Sequence, residues 1–342
     1  MLSFFKPSSA VGLEFDTGCI RVVELKGTRK NPVLVAAGLV PIPDTAVVEG
    51  IVQETGVVAT ALKQLWAKVG IRNKEVILGI FNKGVFLRPV NLPKVPVAKI
   101  PQLLRYQSEE YFPIPFAELV MDFAVIGEAE KAEGNALDLL LVASRLENQR
   151  SCYSALANAE IVPKVVEASP IALLHATGEE EKKGVSVYID IANGQTALMI
   201  TIEGIPRYLR QIPLGVQQMI KMMDSICLDE VASTAEIEVV QSNESSTVSL
   251  WAQELSDQLR ATIQFFLSKN NLSEINRIIL SGRGAKIPEV AEEVGQAMAV
   301  PVTSARPLSQ IPLPHTVPGF DLVREAPEFA VCLGLALRGL ED

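Results

Sequence analysis

One pattern occurs twice in this chain, half its length apart. The first copy is Val11-Gly12-Leu13-Glu14-Phe15-Asp16-Thr17-Gly18, followed by Cys19-Ile20-Arg21-Val22-Val23-Glu24-Leu25. The second is Val187-Tyr188-Ile189-Asp190-Ile191-Ala192-Asn193-Gly194, followed by Gln195-Thr196-Ala197-Leu198-Met199-Ile200. Each copy is an apolar strand with an acid near its end, a small-residue turn closing on glycine, and a second apolar strand. That order predicts a β-hairpin. Glu14 and Asp190 fall at equivalent places. A repeat at this distance predicts two similar α/β lobes. The 342 residues suffice for two domains of roughly 100–200 residues, and a hydrophobic content of 48% supplies a core for each.

The rest of the chain fits around the repeat. Gly178-Glu179-Glu180-Glu181-Lys182-Lys183-Gly184 is a charged run bracketed by glycines, read as a solvated linker. The lobes are therefore expected at 1–178 and 184–326. Trp251, Leu255, Leu259, Ile263 and Phe266 mark one apolar helix face. Arg277-Ile278-Ile279-Leu280 reads as a strand running into Ser281-Gly282-Arg283-Gly284-Ala285. Residues 327–338 predict a helix opened by Pro327. It is apolar nearly all round, so it must be buried on several sides, and 327–342 is expected to return to the first lobe. Prolines 301, 307, 312, 314 and 318 predict an extended loop rather than a regular element.

Composition excludes some functions. The formal net charge of −9 opposes a general nucleic-acid or anionic-membrane surface, which needs a basic face. Cys19, Cys152, Cys227 and Cys332 are scattered, as expected of free, mostly buried thiols in a reducing compartment. His175 and His315 lie near no cysteine, so a zinc site is not expected. The first residues are too short for a signal peptide, and no apolar run reaches the roughly 18 residues of a membrane helix. A cytoplasmic protein is expected, meeting the inner membrane only through partners.

Three elements carry candidate chemistry: the two acid-bearing hairpins and the late strand–Gly-x-Gly turn. Glycine turns let backbone N–H groups approach a phosphate, and paired acids suit a hydrated Mg²⁺. Each element alone is an ordinary tight turn; their order and spacing together give the signal. The pattern resembles the actin-like ATPase superfamily and, within it, the PilM family of type IV pilus assembly platform proteins. The likeness extends to Val48-Glu49-Gly50-Ile51-Val52, Arg88-Pro89-Val90-Asn91-Leu92-Pro93 and Tyr106-Gln107-Ser108-Glu109-Glu110-Tyr111-Phe112-Pro113. Gln211-Ile212-Pro213-Leu214-Gly215, Ile279-Leu280-Ser281-Gly282 and Gly334-Leu335-Ala336-Leu337-Arg338 also match, so that it covers almost the whole chain.

The resemblance implies a duplicated actin-like ATPase fold: two α/β lobes around a nucleotide cleft, with a small subdomain inserted in the first lobe at about 76–150. It implies ATP and Mg as cofactors. The cleft positions would be Glu14, Asp16, Thr17, Gly18, Asp190, Ala192, Asn193, Gly194, Gly215, Gly282, Arg283 and Gly284, with Glu14 and Asp190 holding Mg through water. It implies a partner, the N-terminal peptide of a PilN-like inner-membrane protein, gripped in a groove of the first lobe, and links to pilus motor ATPases and platform proteins. Extended peptides are held by main-chain hydrogen bonds and apolar pockets. The groove candidates are Arg88, Asn91, Leu92, Tyr106, Tyr111 and Phe112, where the ordinary alternative for Leu92 and Phe112 is core.

Three turns depart from the family pattern. Glu14-Phe15-Asp16 and Asp190-Ile191-Ala192 stand where the family has Asp-Ile-Gly, and Gly282-Arg283-Gly284-Ala285 where it has Gly-Gly-Gly-Ala. Asp16 puts a carboxylate where polyphosphate would lie. Like unit charges about 4 Å apart repel by roughly 4 kcal/mol at an effective dielectric of about 20, about a thousandfold in affinity. Arg283 either pairs with Asp16 across the cleft in place of nucleotide, or both remain solvated charges. The leading expectation is a scaffold with a degenerate ATP site. An active nucleotide-gated ATPase and a platform component of a type II secretion-like system are the alternatives.

Overall fold

The computed structural model describes residues 9–131, 134–231, 237–307, 311 and 322–340. The first copy of the repeat is a hairpin of β1 (Ser9–Asp16) and β2 (Cys19–Thr28), extended by β3 (Asn31–Pro41). A small ribbon of β4 (Val47–Val48) and β5 (Ile51–Val52) follows. Its turn residues Glu49 and Gly50 both have positive φ, 48° and 75°, the twist a two-residue hairpin requires. Helix α1 (Thr55–Val69) leads into β6 (Glu75–Ile80). Then come β7 (Val85–Pro93), α2 (Ile100–Tyr111), β8 (Leu119–Lys131), β9 (Gly134–Arg145), α3 (Leu146–Asn158) and β10 (Val162–Ala168). Two short helices, α4 (Ser169–Ala172) and α5 (Glu179–Lys182), lead to the second copy of the repeat.

That copy is β11 (Val185–Ile191), β12 (Thr196–Ile202) and β13 (Ile205–Ile212), followed by α6 (Val216–Val231) and α7 (Ile237–Lys269). The chain continues through β14 (Arg277–Ser281), α8 (Pro288–Met298), β15 (Val302–Ser304), α9 (Leu322–Glu325) and α10 (Ala330–Gly339). The two five-stranded sheets have corresponding orders, β10-β6-β1-β2-β3 and β15-β14-β11-β12-β13. In each, the acid-bearing strand pairs antiparallel with its hairpin mate and parallel with the strand on its other side. The duplication is therefore one of topology as well as of sequence.

Strand alternation sorts the core into layers. Val11, Leu13, Phe15, Leu78 and Ile80 pack with α1 and α3 on one face of the first sheet. Val187, Ile189, Ile278 and Leu280 pack with α7 and α8 on the outer face of the second. The intervening residues Val23, Ile77, Tyr188 and Ile279 meet around α10. That helix is buried from Ala330 to Leu337, as its all-round apolar sequence requires. It lies so close to β1 that a Cβ at Gly12 would stand 2.1 Å from the Cys332 carbonyl oxygen. Period two puts Glu14 on the face of Gly12, and Asp190 on the face of Tyr188, so both acids turn inward toward this central layer.

Three boundaries differ from the sequence reading. The small three-stranded sheet, ordered β7-β9-β8, spans 85–145 rather than about 76–150. Strand β6 bonds in parallel to both β1 and β10, which fixes it in the first large sheet. Val302–Ser304, between the prolines at 301 and 307, keeps its amide donors and pairs with β14; prolines 312, 314 and 318 lie outside the described residues. The last helix starts at Ala330 rather than Pro327, because residues 326–329 form turns in which the Pro327 carbonyl accepts the Gly282 N–H at 2.8 Å. Cys19, Cys152 and Cys332 are free and buried; the side chain of Cys227 lies outside the described residues.

Candidate functional site

The two hairpin turns lock together. Asn193 donates from Nδ2 to the Thr17 carbonyl at 2.9 Å, and a Cβ at Gly194 would stand 2.2 Å from Thr17 Oγ1. Gly215 backs the second turn, where a Cβ would meet the Asn193 oxygen at 2.3 Å. The Asp16 carboxylate sits at the centre. Its Oδ2 accepts the Asn193 backbone N–H at 3.0 Å, and its Oδ1 accepts the Gly194 N–H at 3.4 Å and the Thr17 N–H at 2.8 Å. Gly18, at φ 79°, completes the first turn.

Charge is concentrated behind the turns. Arg21, only 2% exposed, reaches Asp16 Oδ2 through Nη1 and Nη2 at 3.0 and 3.1 Å. It also lies 3.0 Å from Glu328 and 3.7 Å from Glu14. Lys286 bonds Glu328 at 2.5 Å and Glu325 at 2.6 Å. A buried cation is tolerated only when such partners satisfy it. Burial pushes the Glu14 carboxyl well above its usual range against the opposing pull of Arg21. Burial also pushes Asp190 up to about 6, although Ser281 donates to its Oδ1 at 2.7 Å. At Glu328 burial acts in the same upward direction, but Arg21 and Lys286 outweigh it and hold the carboxyl below its ordinary value.

Arg283 is not the partner of Asp16. Its Nη1 donates to Asn193 Oδ1 at 3.1 Å, and Arg21 takes the place expected for it. The reason is register: Arg21 stands opposite Glu14 on β2, one short reach behind Asp16. The glycines flanking Arg283 serve packing. A Cβ at Gly282 would lie 2.5 Å from the Ile191 oxygen, and one at Gly284 would lie 2.3 Å from Ile191 Cγ2.

ATP and Mg, which the resemblance implies, do not fit between these turns. The cavity lined by Glu14, Asp16, Asp190, Ala192 and Gln195 has a volume of about 20 Å³, room for roughly one water, where ligand pockets run to about 300–1,000 Å³. The Thr17, Asn193 and Gly194 N–H groups of the turns are already bonded to Asp16.

A second concavity lies elsewhere, with a volume of about 330 Å³. Its walls are β8 (Val120 to Ala124) and β10 (Val165 to Ala168), and Gln149 and Tyr153 of α3 also line it. Both β8 and β10 are edge strands of their sheets, so unpaired backbone groups border an apolar groove. None of the six groove candidates lines it. Leu92 and Phe112, 2% and 1% exposed, fill the core of the small sheet, packed between α2 and β9. Arg88 and Asn91 lie exposed on β7, the edge opposite β8. Tyr106 is 77% exposed on α2, and half-buried Tyr111 bonds Gln107 at 3.5 Å.

Arg21, Glu328 and Lys286 were missed in the sequence. Arg21 alone gave a signal, as a charge flanked by apolar residues in a strand; the other two come from distant segments joined only by the fold.

The family model described as type IV pilus assembly protein PilM matches residues 12–340. A chain solved as the PilM-PilN type IV pilus biogenesis complex is similar at 27% identity, with a TM-score of 0.82, over 97% of this chain and 99% of that one. The ethanolamine utilization protein EutJ from Carboxydothermus hydrogenoformans shares the fold at 14% identity and a TM-score of 0.55, over 97% and 90% of the chains. MreB5 of Spiroplasma citri bound to AMPPNP does so at 9% identity and 0.52, over 95% and 94%.

Proposed function

Since the chain belongs to the PilM family of type IV pilus assembly proteins, we propose that it is a platform scaffold holding an extended N-terminal peptide of a PilN-like membrane protein. The seat of the peptide is the groove between β8 and β10. The observation that carries this reading is the pairing of two free strand edges with an apolar floor. An added strand would find main-chain partners on either side and pockets for alternate side chains. The similar chain solved in a PilM-PilN complex supports the partner's identity.

In this reading residues 1–178 and 184–326 act as two lobes, and the segment 327–342, which carries α10, returns to the first. The protein works in the cytoplasm, meets the inner membrane through its partner, and links that partner to pilus motor ATPases and other platform proteins. Its role is scaffolding rather than nucleotide turnover, since the nucleotide position is closed by the chain's own groups.

The test is a titration of a synthetic N-terminal peptide from the PilN-like protein against the full chain, read by fluorescence anisotropy. Saturable binding that is lost in Met121→Lys, which charges the β8 wall, and kept in Tyr106→Ala supports the groove. Binding lost in Tyr106→Ala and kept in Met121→Lys would move the partner to the α2 face.

A further inference from the structure

We propose that Asp16 is a resident anionic ligand of the second hairpin turn, so that the two halves of this protein are closed by their own carboxylate and not by nucleotide. The inference goes beyond the partner reading and does not depend on it.

Consecutive backbone N–H groups at a tight turn form a concave anion site. The turn at 192–195 is such a site: Asn193 and Gly194 both point their N–H groups at Asp16, at 3.0 and 3.4 Å. The anion is supplied from the other sheet, by the last residue of β1. Asn193 adds a third bond, through Nδ2, to the Thr17 carbonyl, so the second turn supplies the donors and the first turn the acceptors.

The duplication shows that this lock is one-sided. Glu14 stands beside Gly79 and opposite Arg21; Asp190 stands beside Ser281 and opposite Ala197. With those registers superposed, Asp16 corresponds to Ala192, and Arg21 to Ala197. One copy of the repeat carries an acid and the cation that neutralises it; the other carries two alanines. The cation matters, because a carboxylate buried at 6% exposure needs a charge partner as well as donors. Arg21 provides both Nη groups to the same Oδ2 and continues to Glu328, so the lock also holds the chain segment that leads into α10. The volume left between the turns, about 20 Å³, agrees with a site already filled by protein.

The experiment uses the full chain and two readouts. Amide hydrogen exchange at Asn193 and Gly194 is followed without nucleotide in the wild type, in Asp16→Asn and in Asp16→Gly. Mg-ATP is titrated calorimetrically into the wild type. The proposal expects slow exchange at both amides in the wild type, and exchange about ten- to a hundredfold faster once the charged acceptor is removed. It also expects no Mg-ATP heat from the wild type. Unchanged exchange in Asp16→Asn, which keeps the side-chain volume and is decisive even if Asp16→Gly fails to fold, would overturn it. So would micromolar Mg-ATP binding by the wild type. A failed peptide titration would sink the partner reading and leave this result standing.

Discussion

Arg21 Nη2 lies 3.0 Å from Glu328 Oε1, joining the first hairpin to the turn that precedes the last helix. The contact ties together residues far apart in sequence, and both side chains are buried. Removing one member of such a pair leaves an uncompensated charge, at a cost of about 3–5 kcal/mol. Arg21→Met is therefore expected to lower unfolding stability by that amount in urea denaturation. Glu328→Gln should lower it less, since Asp16 still neutralises Arg21. The double variant should lose less than the sum of the two.

Asp190 makes the stability depend on pH. Its ordinary value is 3.8 and its folded value about 6, so the folded protein holds this proton more tightly than the unfolded chain. The stability it contributes is full below about pH 4 and is lost as the pH rises through 6. Two pH units correspond to about 3 kcal/mol. Asp190→Asn keeps an acceptor for Ser281 and cannot ionise. Its stability relative to the wild type should rise between pH 4 and 6 by up to that amount and stay level above. Parallel denaturation curves at every pH would show that Asp190 does not titrate in this range.

The interlock of the turns is steric as well as polar. A methyl group at Gly194 would stand 2.2 Å from Thr17 Oγ1 and 2.9 Å from its Cβ. Gly194→Ala should destabilise the chain by about 1–3 kcal/mol, and Thr17→Gly in the same chain should restore part of the loss. Equal stability of wild type and Gly194→Ala would mean that the turns stand further apart.

How much of this was legible in the sequence follows from how local each feature is. The hairpins, the α7 face at Trp251, Leu255 and Leu259, and the all-round apolar last helix were readable because strand and helix periodicity is written over neighbouring residues. Asp16 was readable as an anomaly in a glycine turn. Its partner was not, because choosing Arg21 over Arg283 needs the register of β1 on β2. The groove proposed above lies away from the six candidate residues for the same kind of reason. Leu92 and Phe112 read in sequence as either groove or core, and only the tertiary packing buries them in the small sheet while β8 lines the concavity and β7 lies at the opposite edge. Glu328 and Lys286 gave no signal, since nothing near them in the chain announces a buried ion pair.

The groove makes its own demand on side chains. Tyr153 and Gln149 line it from α3, bonded to each other at 2.8 Å, so Tyr153→Phe removes a polar group from the wall without changing its shape. Peptide affinity should change by less than about threefold in Tyr153→Phe, because a wall of this kind binds through backbone and apolar contact. Val165→Asp, which puts a charge among apolar residues, should weaken binding by at least about tenfold. Anisotropy titrations of both variants check this.

The most direct measurement of the partner claim is amide hydrogen exchange of the full chain with and without the PilN-like peptide. An added strand bonds to the edges beside it, so the account predicts slowed exchange confined to residues 120–124 of β8 and 165–168 of β10. Protection along β7 at residues 88–92 and across α2, with β8 and β10 unchanged, would contradict it.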